Sequence, residues 1–127
     1  MGGVWTICEG ETHGVKPGDT ATRQECDDRL RANLAAANNA FDRCVSEPVS
    51  VFERAAYVDF TFNAGEGNLC RSTLVKKLNL GDHKGACDEL LKWVYVDGKD
   101  CRIAASNCYG IVKRRQAEHD LCLQGIQ

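Results

Sequence analysis

No apolar run in this 127-residue sequence approaches the roughly 20 residues that span a bilayer, so no membrane segment is expected within it. Charge of one sign is also missing. Sixteen basic against 18 acidic side chains leave a formal net charge of -2, which gives neither nucleic acid nor an anionic membrane surface a reason to bind. Basic runs such as Lys76-Lys77 and Lys113-Arg114-Arg115 then read as solvated helix faces. There is no C-x-x-C pair, and His13, His83 and His119 do not supply the close neighbours that a zinc site wants. Neither a metal nor a cofactor is therefore expected. Internal repeats and low-complexity tracts are absent as well, and the length suits one domain with a single core. The chain does not open on a signal-peptide pattern, so any export signal is expected to lie outside it.

Cysteine is the residue in excess. Cys8, Cys26, Cys44, Cys70, Cys87, Cys101, Cys108 and Cys122 make an even set of eight spread over the whole chain. Such usage points to disulfides and an oxidising compartment, either periplasmic or extracellular. Eight cysteines allow on the order of a hundred connectivities, so spacing alone does not fix the pairing. Three pairs are put forward as expectations. Cys44–Cys70 would join the end of one long helix to the elbow after the next, Cys101–Cys108 would close a local loop, and Cys8–Cys122 would tie the two ends together.

Most of the remaining pattern is helical. Thr22-Arg23-Gln24-Glu25 is a capping box, and Leu30, Leu34, Ala37, Phe41 and Val45 recur behind it as one apolar stripe, with Pro48 as a stop. A second capping box, Ser50-Val51-Phe52-Glu53, opens a helix carrying Phe52, Ala55, Ala56, Val58 and Phe62. Gly65 and Gly67 mark a sharp corner, after which Ser72 or Thr73 starts a short helix stopped by Gly81. Asp82 caps a further helix that holds Ala86, Leu90, Leu91 and Trp93 and ends before Gly98; a last helix runs from about Gly110 to Leu123. The start differs. Val4-Trp5-Thr6-Ile7-Cys8, followed by the turn-forming Glu9-Gly10-Glu11 and Pro17-Gly18-Asp19, reads as a strand or hairpin. The fold class is therefore α+β and mainly helical: a small β lobe over residues 1–21 and a helical lobe over residues 22–127.

One stretch is specific enough to indicate a family. Phe60-Thr61-Phe62-Asn63-Ala64-Gly65-Glu66-Gly67-Asn68-Leu69-Cys70-Arg71-Ser72-Thr73-Leu74, with Leu78-Asn79-Leu80-Gly81-Asp82 and Trp93 downstream, resembles glycoside hydrolase family 24. These are the phage-type lysozymes or endolysins. Gly3-Val4-Trp5-Thr6-Ile7-Cys8-Glu9-Gly10-Glu11-Thr12 is similar to a strand of their cysteine-bearing branch, and Gly110-Ile111-Val112-Lys113-Arg114-Arg115-Gln116-Ala117-Glu118 to the G-L-x-x-R-R-x-x-E of its last helix. The resemblance implies a lysozyme-like fold, a glycan cleft between the lobes, and hydrolysis of MurNAc-GlcNAc bonds in bacterial peptidoglycan. It also implies a phage-encoded protein made in the host cell. Thr6 takes the place of the family threonine, here read as positioning water. Where the family usually has histidine, this chain has Glu11.

Counting back from Thr6 sets the family's catalytic aspartate before Met1, and its glutamate earlier still. The chain is therefore expected to be an N-terminally truncated form. Glycoside hydrolysis takes two carboxyl groups, one protonated to donate and one ionised. A threonine hydroxyl replaces neither of them. Glu9 and Glu11 are the surrogate carboxylates at hand, with exposed turn residues as the alternative reading. Phe62, Trp93 and Tyr95 are candidates for stacking on sugar rings, and at helical spacing they equally suit the core. The alternative to an enzyme is a non-catalytic derivative that binds peptidoglycan or a protein partner. A helical face left uncovered would favour dimerisation.

Overall fold

The computed structural model describes residues 23–126. Six α-helices make up most of them: α1 (Arg23–Cys44), α2 (Val51–Ala64), α3 (Glu66–Arg71), α4 (Thr73–Asn79), α5 (His83–Glu89) and α6 (Tyr109–Gln124). Between α5 and α6 lie β1 (Tyr95–Val96) and β2 (Lys99–Asp100), an antiparallel pair in which Tyr95 faces Asp100 and Val96 faces Lys99. The expected N-terminal hairpin and the Thr22 capping box fall outside the described residues. Trp93 is not helical as expected: α5 stops at Glu89, a 3-10 turn covers Leu90–Lys92, and the chain then enters this hairpin. The turn is made by Asp97 and Gly98, both with positive φ (51° and 80°). That is the geometry a two-residue hairpin requires.

The chain divides within α1 into two compact units, residues 1–36 and 37–127. In the first, Asp28 takes a hydrogen bond from Gln24 at 3.1 Å and pairs with Arg31 at 3.2 Å, contacts that one helical face provides. Leu30 and Leu34, expected on the apolar stripe, are exposed.

In the second unit Ala37, Phe41 and Val45 continue that stripe into a core with Ala56, Tyr57, Phe60, Leu69, Leu74, Leu78, Leu90 and Cys122. The Phe41 and Tyr57 rings stack at 5.5 Å, and Phe60 meets Trp93 edge-on at 5.3 Å. Helix ends follow the local chemistry. Ser50 and Glu53 form the expected capping box, with Glu53 N–H on Ser50 Oγ at 3.1 Å and Ser50 N–H on Glu53 Oε1 at 2.9 Å. Ser72 caps α4 and Asp82 caps α5.

Three disulfides are described. Cys44–Cys70 fastens the end of α1 to α3 across a Cα separation of 5.5 Å, and Cys101–Cys108 closes the loop that leads into α6 at 4.9 Å. The expected Cys8–Cys122 pair is corrected: Cys122 bonds Cys87 on α5, Cα to Cα 5.7 Å. The reason is packing. Cys87 and Cys122 are both fully buried where α5 meets α6, well within the reach of an S–S bridge.

Candidate functional site

The family-bearing stretch lies where α2 ends. Thr61 Oγ1 donates to Tyr57 O at 2.7 Å, and Gly65 N–H donates to Thr61 O at 2.8 Å, which closes the helix. Gly65 has φ 96°, a backbone region costly for any residue with a Cβ. Gly67 does not share that role. It lies inside α3, which starts immediately after Gly65, so the expected two-glycine corner is a one-glycine corner followed by a helical turn. Arg43 on α1 grips Glu66 with two bonds, at 2.6 and 2.7 Å, and the Cys44–Cys70 bridge reinforces the same junction.

Helix α6 packs along α2 and brings charge to this corner. Arg114 forks onto Asp59 at 3.2 and 3.0 Å. Arg115, only 1% exposed, lays its guanidinium over the Phe60 ring at 5.0 Å and donates to Asn63 Oδ1 at 2.7 Å. A guanidinium has only donors, so the amide oxygen of Asn63 must face it. The Asn63 NH2 is left to point away, and Asn63 is exposed. Asn63 thus presents a donor whose direction is set by a buried arginine.

Glu118 sits one turn further along α6, 3% exposed. Its Oε1 lies 3.2 Å from Arg115 Nε, but the angle makes no hydrogen bond, and neither Glu118 oxygen accepts one from a neighbouring donor. Burial, reinforced by hydrogen bonding to Asp59, pushes Glu118 up to about 9. Asp59 goes the other way. Its own burial is outweighed by hydrogen bonds from Glu118 and Arg114 and by the charges of both arginines, which hold it below the usual carboxylate range. Burial also lowers Arg115 from its ordinary value. Near neutrality the seam therefore holds two guanidinium groups, one ionised carboxylate and one neutral carboxylic acid. A raised carboxyl is what a proton donor to a glycosidic oxygen needs, but Glu118 is too deeply buried to reach one. Its proton serves the packing of α2 on α6.

Of the residues singled out from sequence, Thr6, Glu9 and Glu11 lie outside the described residues. Phe62 is 38% exposed on the last turn of α2, and Trp93 is half-buried against Phe60. Two residues apart on one helix, Phe60 and Phe62 point to different sides. Trp93 packs against the core through Phe60 without being wholly enclosed by it. Tyr95 is exposed on β1, with the Arg102 guanidinium 5.8 Å from its ring. Sequence reasoning missed Asp59, Asn63 and Glu118 as site residues and placed Arg115 on a solvated face. The signal was there: Val112, Arg115, Glu118 and Cys122 recur at spacings of three, three and four, and all four are buried.

The family model described as phage lysozyme matches residues 1–118. A SAR-endolysin of Enterobacteria phage PA-2 is 36% identical over 126 residues, covering 98% of this chain and 72% of that protein. A probable prophage lysozyme of Escherichia coli K12 is 36% identical over 130 residues, covering 98% and 73%. Among solved structures, the active form of the P1 phage endolysin Lyz superimposes with a TM-score of 0.80 at 27% identity, covering 98% of this chain and 73% of that one. The muramidase domain of SpmX from Asticaccaulis excentricus gives 0.75 at 25% identity, covering 90% and 76%. A family match over nearly the whole chain, together with relatives above one-third identity, makes the assignment: the chain belongs to the phage lysozyme family.

Proposed function

We propose that the chain is a peptidoglycan-degrading endolysin, an endo-N-acetylmuramidase that hydrolyses MurNAc-GlcNAc bonds and so lyses bacteria. The observation that carries this reading is the alignment of 98% of the chain with endolysins and a prophage lysozyme. The three described disulfides suit work outside the reducing cytoplasm, in the periplasm or beyond it. No helix among the described residues is long and apolar enough to cross a membrane.

In this reading the corner of α2 receives the glycan. Asn63, turned by Arg115, donates its free N–H to an acetamido or carboxylate oxygen of the substrate, and Phe62 covers an apolar sugar face beside it. Thr6 is assigned the water. Glu9 and Glu11 are the carboxyl groups to test as the acid and the charge-stabilising base that glycoside hydrolysis requires. The second reading, a peptidoglycan-binding derivative without hydrolysis, is favoured by one observation: within the α2–α6 seam Glu118 is buried and Asp59 is held by Arg114, so neither is free to act on a substrate.

Clearing of sacculus suspensions tests both readings. Asn63→Asp keeps an acceptor for Arg115 and removes the outward donor. Losing one substrate hydrogen bond is worth roughly tenfold in clearing rate at an unchanged melting temperature. Glu9→Gln or Glu11→Gln abolishing clearing would identify the acid. Retention on sacculi with no clearing would favour the binding derivative.

A further inference from the structure

A second cluster, at the first turn of α2, has no part in that site. Glu53 is 3% exposed; its Oε1 is taken by the capping box and its Oε2 lies 2.5 Å from His83 Nδ1, on the first residue of α5. The other ring nitrogen, Nε2, is 2.8 Å from Glu47 Oε2 on the connection between α1 and α2. Two carboxylates thus sit on the two nitrogens of one imidazole. Only the imidazolium has an N–H for each; a neutral ring would turn a lone pair toward one of them.

The surrounding contacts make this a junction. Ser46 N–H donates to Asn79 Oδ1 at 2.8 Å, and Asn79 Nδ2 donates to Cys44 O at 3.0 Å, so the same connection also touches the end of α4. Gly125, just past α6, sits so close to Ser50 Oγ and the Glu53 backbone nitrogen that a Cβ would collide with both. Among the described residues, Glu47 from the connection and Glu53 from α2 face the ring; Tyr57 of α2 lies within electrostatic reach of Glu53 and of Asp82, which caps α5 through Gly85 N–H at 2.9 Å. Tyr57 is buried and directs its hydroxyl at Cys87 Sγ, 3.7 Å away, leaving the two glutamates as the partners of the ring.

We propose that His83 is a pH-operated latch: as imidazolium it pins the α1–α2 connection to the start of α5, and as a neutral ring it releases Glu47 and that connection. Glu47 is the partner that leaves, because its side chain is 29% exposed against 3% for Glu53 and can turn to water. Glu53 is buried where water cannot replace a lost donor on its Oε2, so it keeps the remaining N–H. The bond to Glu53 raises His83 most; partial burial opposes this and the bond to Glu47 adds to it, for a net rise above the ordinary 6.5. A raised histidine adds stability that is complete below its unfolded value and lost as pH climbs through its folded value. The connection therefore loosens on the alkaline side.

The test uses the full oxidised chain. NMR of the His83 ring across pH, with amide exchange corrected for its intrinsic pH dependence, should show a doubly protonated ring persisting above the ordinary histidine range. Protection of the Ser46 amide should then fall roughly tenfold for each unit of that elevation, while Tyr57 in mid-helix keeps its own. His83→Gln should remove the pH step. Glu47→Gln, which leaves the capping box intact, should shrink it and lower the histidine titration, and serves if His83→Gln does not fold. An ordinary titration of His83, or protection at Ser46 that does not change through it, overturns the latch.

Discussion

Glu118→Gln should stabilise the protein at neutral pH, although it alters a buried ionisable residue. In the folded chain Glu118 is pushed up from an ordinary 4.5 to about 9, so between those values the folded state holds a proton that the unfolded state has released. Stability then falls as pH rises, by about 1.4 kcal/mol per unit. At pH 7, about 2.5 units above the ordinary value, the cost is on the order of 2–3 kcal/mol. Glutamine has the shape of the neutral acid and nothing to ionise. The variant should therefore melt roughly 6–12 °C higher at pH 7. Melting followed by circular dichroism from pH 5 to pH 8 reads this directly, since the gap between variant and parent should widen with pH. A variant less stable than its parent at pH 7, or a gap that does not change with pH, would refute the neutral, buried Glu118.

Other consequences are checked more simply. Non-reduced peptide mapping should return Cys87 linked to Cys122, and replacing both by serine should cost about 4 kcal/mol, the loop-closure value for a separation of 35 residues. Gly65→Ala should destabilise by roughly 1–2 kcal/mol because of its positive φ, whereas Gly67→Ala, helical and with its Cβ 3.5 Å from the Arg71 side chain, should be neutral or gain up to about 1 kcal/mol in urea denaturation. Gly125→Ala should lower the melting temperature by forcing α6 away from Ser50 and Glu53, and Ser50→Gly should partly restore it in the double variant.

The two kinds of sequence signal had unequal reach. Local rules worked where the cause was local: Ser50 with Glu53, Ser72 and Asp82 each cap the helix they precede, because the partner amide is three residues away. The end of α5 is not legible because the apolar pattern runs on through Leu90, Leu91 and Trp93, while Asp97-Gly98 turns the chain into a hairpin that uses Val94 as a core residue. Gly67 is helical and not part of the corner because glycine permits a turn without requiring one. The site was legible only in part. The stretch around Asn63 indicated the family, but Arg115 looked like one of three basic neighbours, and only the packing of α6 on α2 shows it buried over Phe60. Disulfide pairing did not divide so cleanly: Cys101–Cys108 closes a short local loop, Cys44–Cys70 joins two helix ends that the helical pattern already brings together, and Cys87 and Cys122 meet only through the packing of α5 on α6.

Identification of the chain ends left on digested peptidoglycan is the most direct measurement. Purified sacculi treated with the oxidised chain should yield fragments whose new reducing ends are N-acetylmuramic acid, and Asn63→Asp should release them roughly tenfold more slowly. New reducing ends on N-acetylglucosamine, or intact glycan strands from sacculi to which the chain is bound, would contradict the assignment of a muramidase.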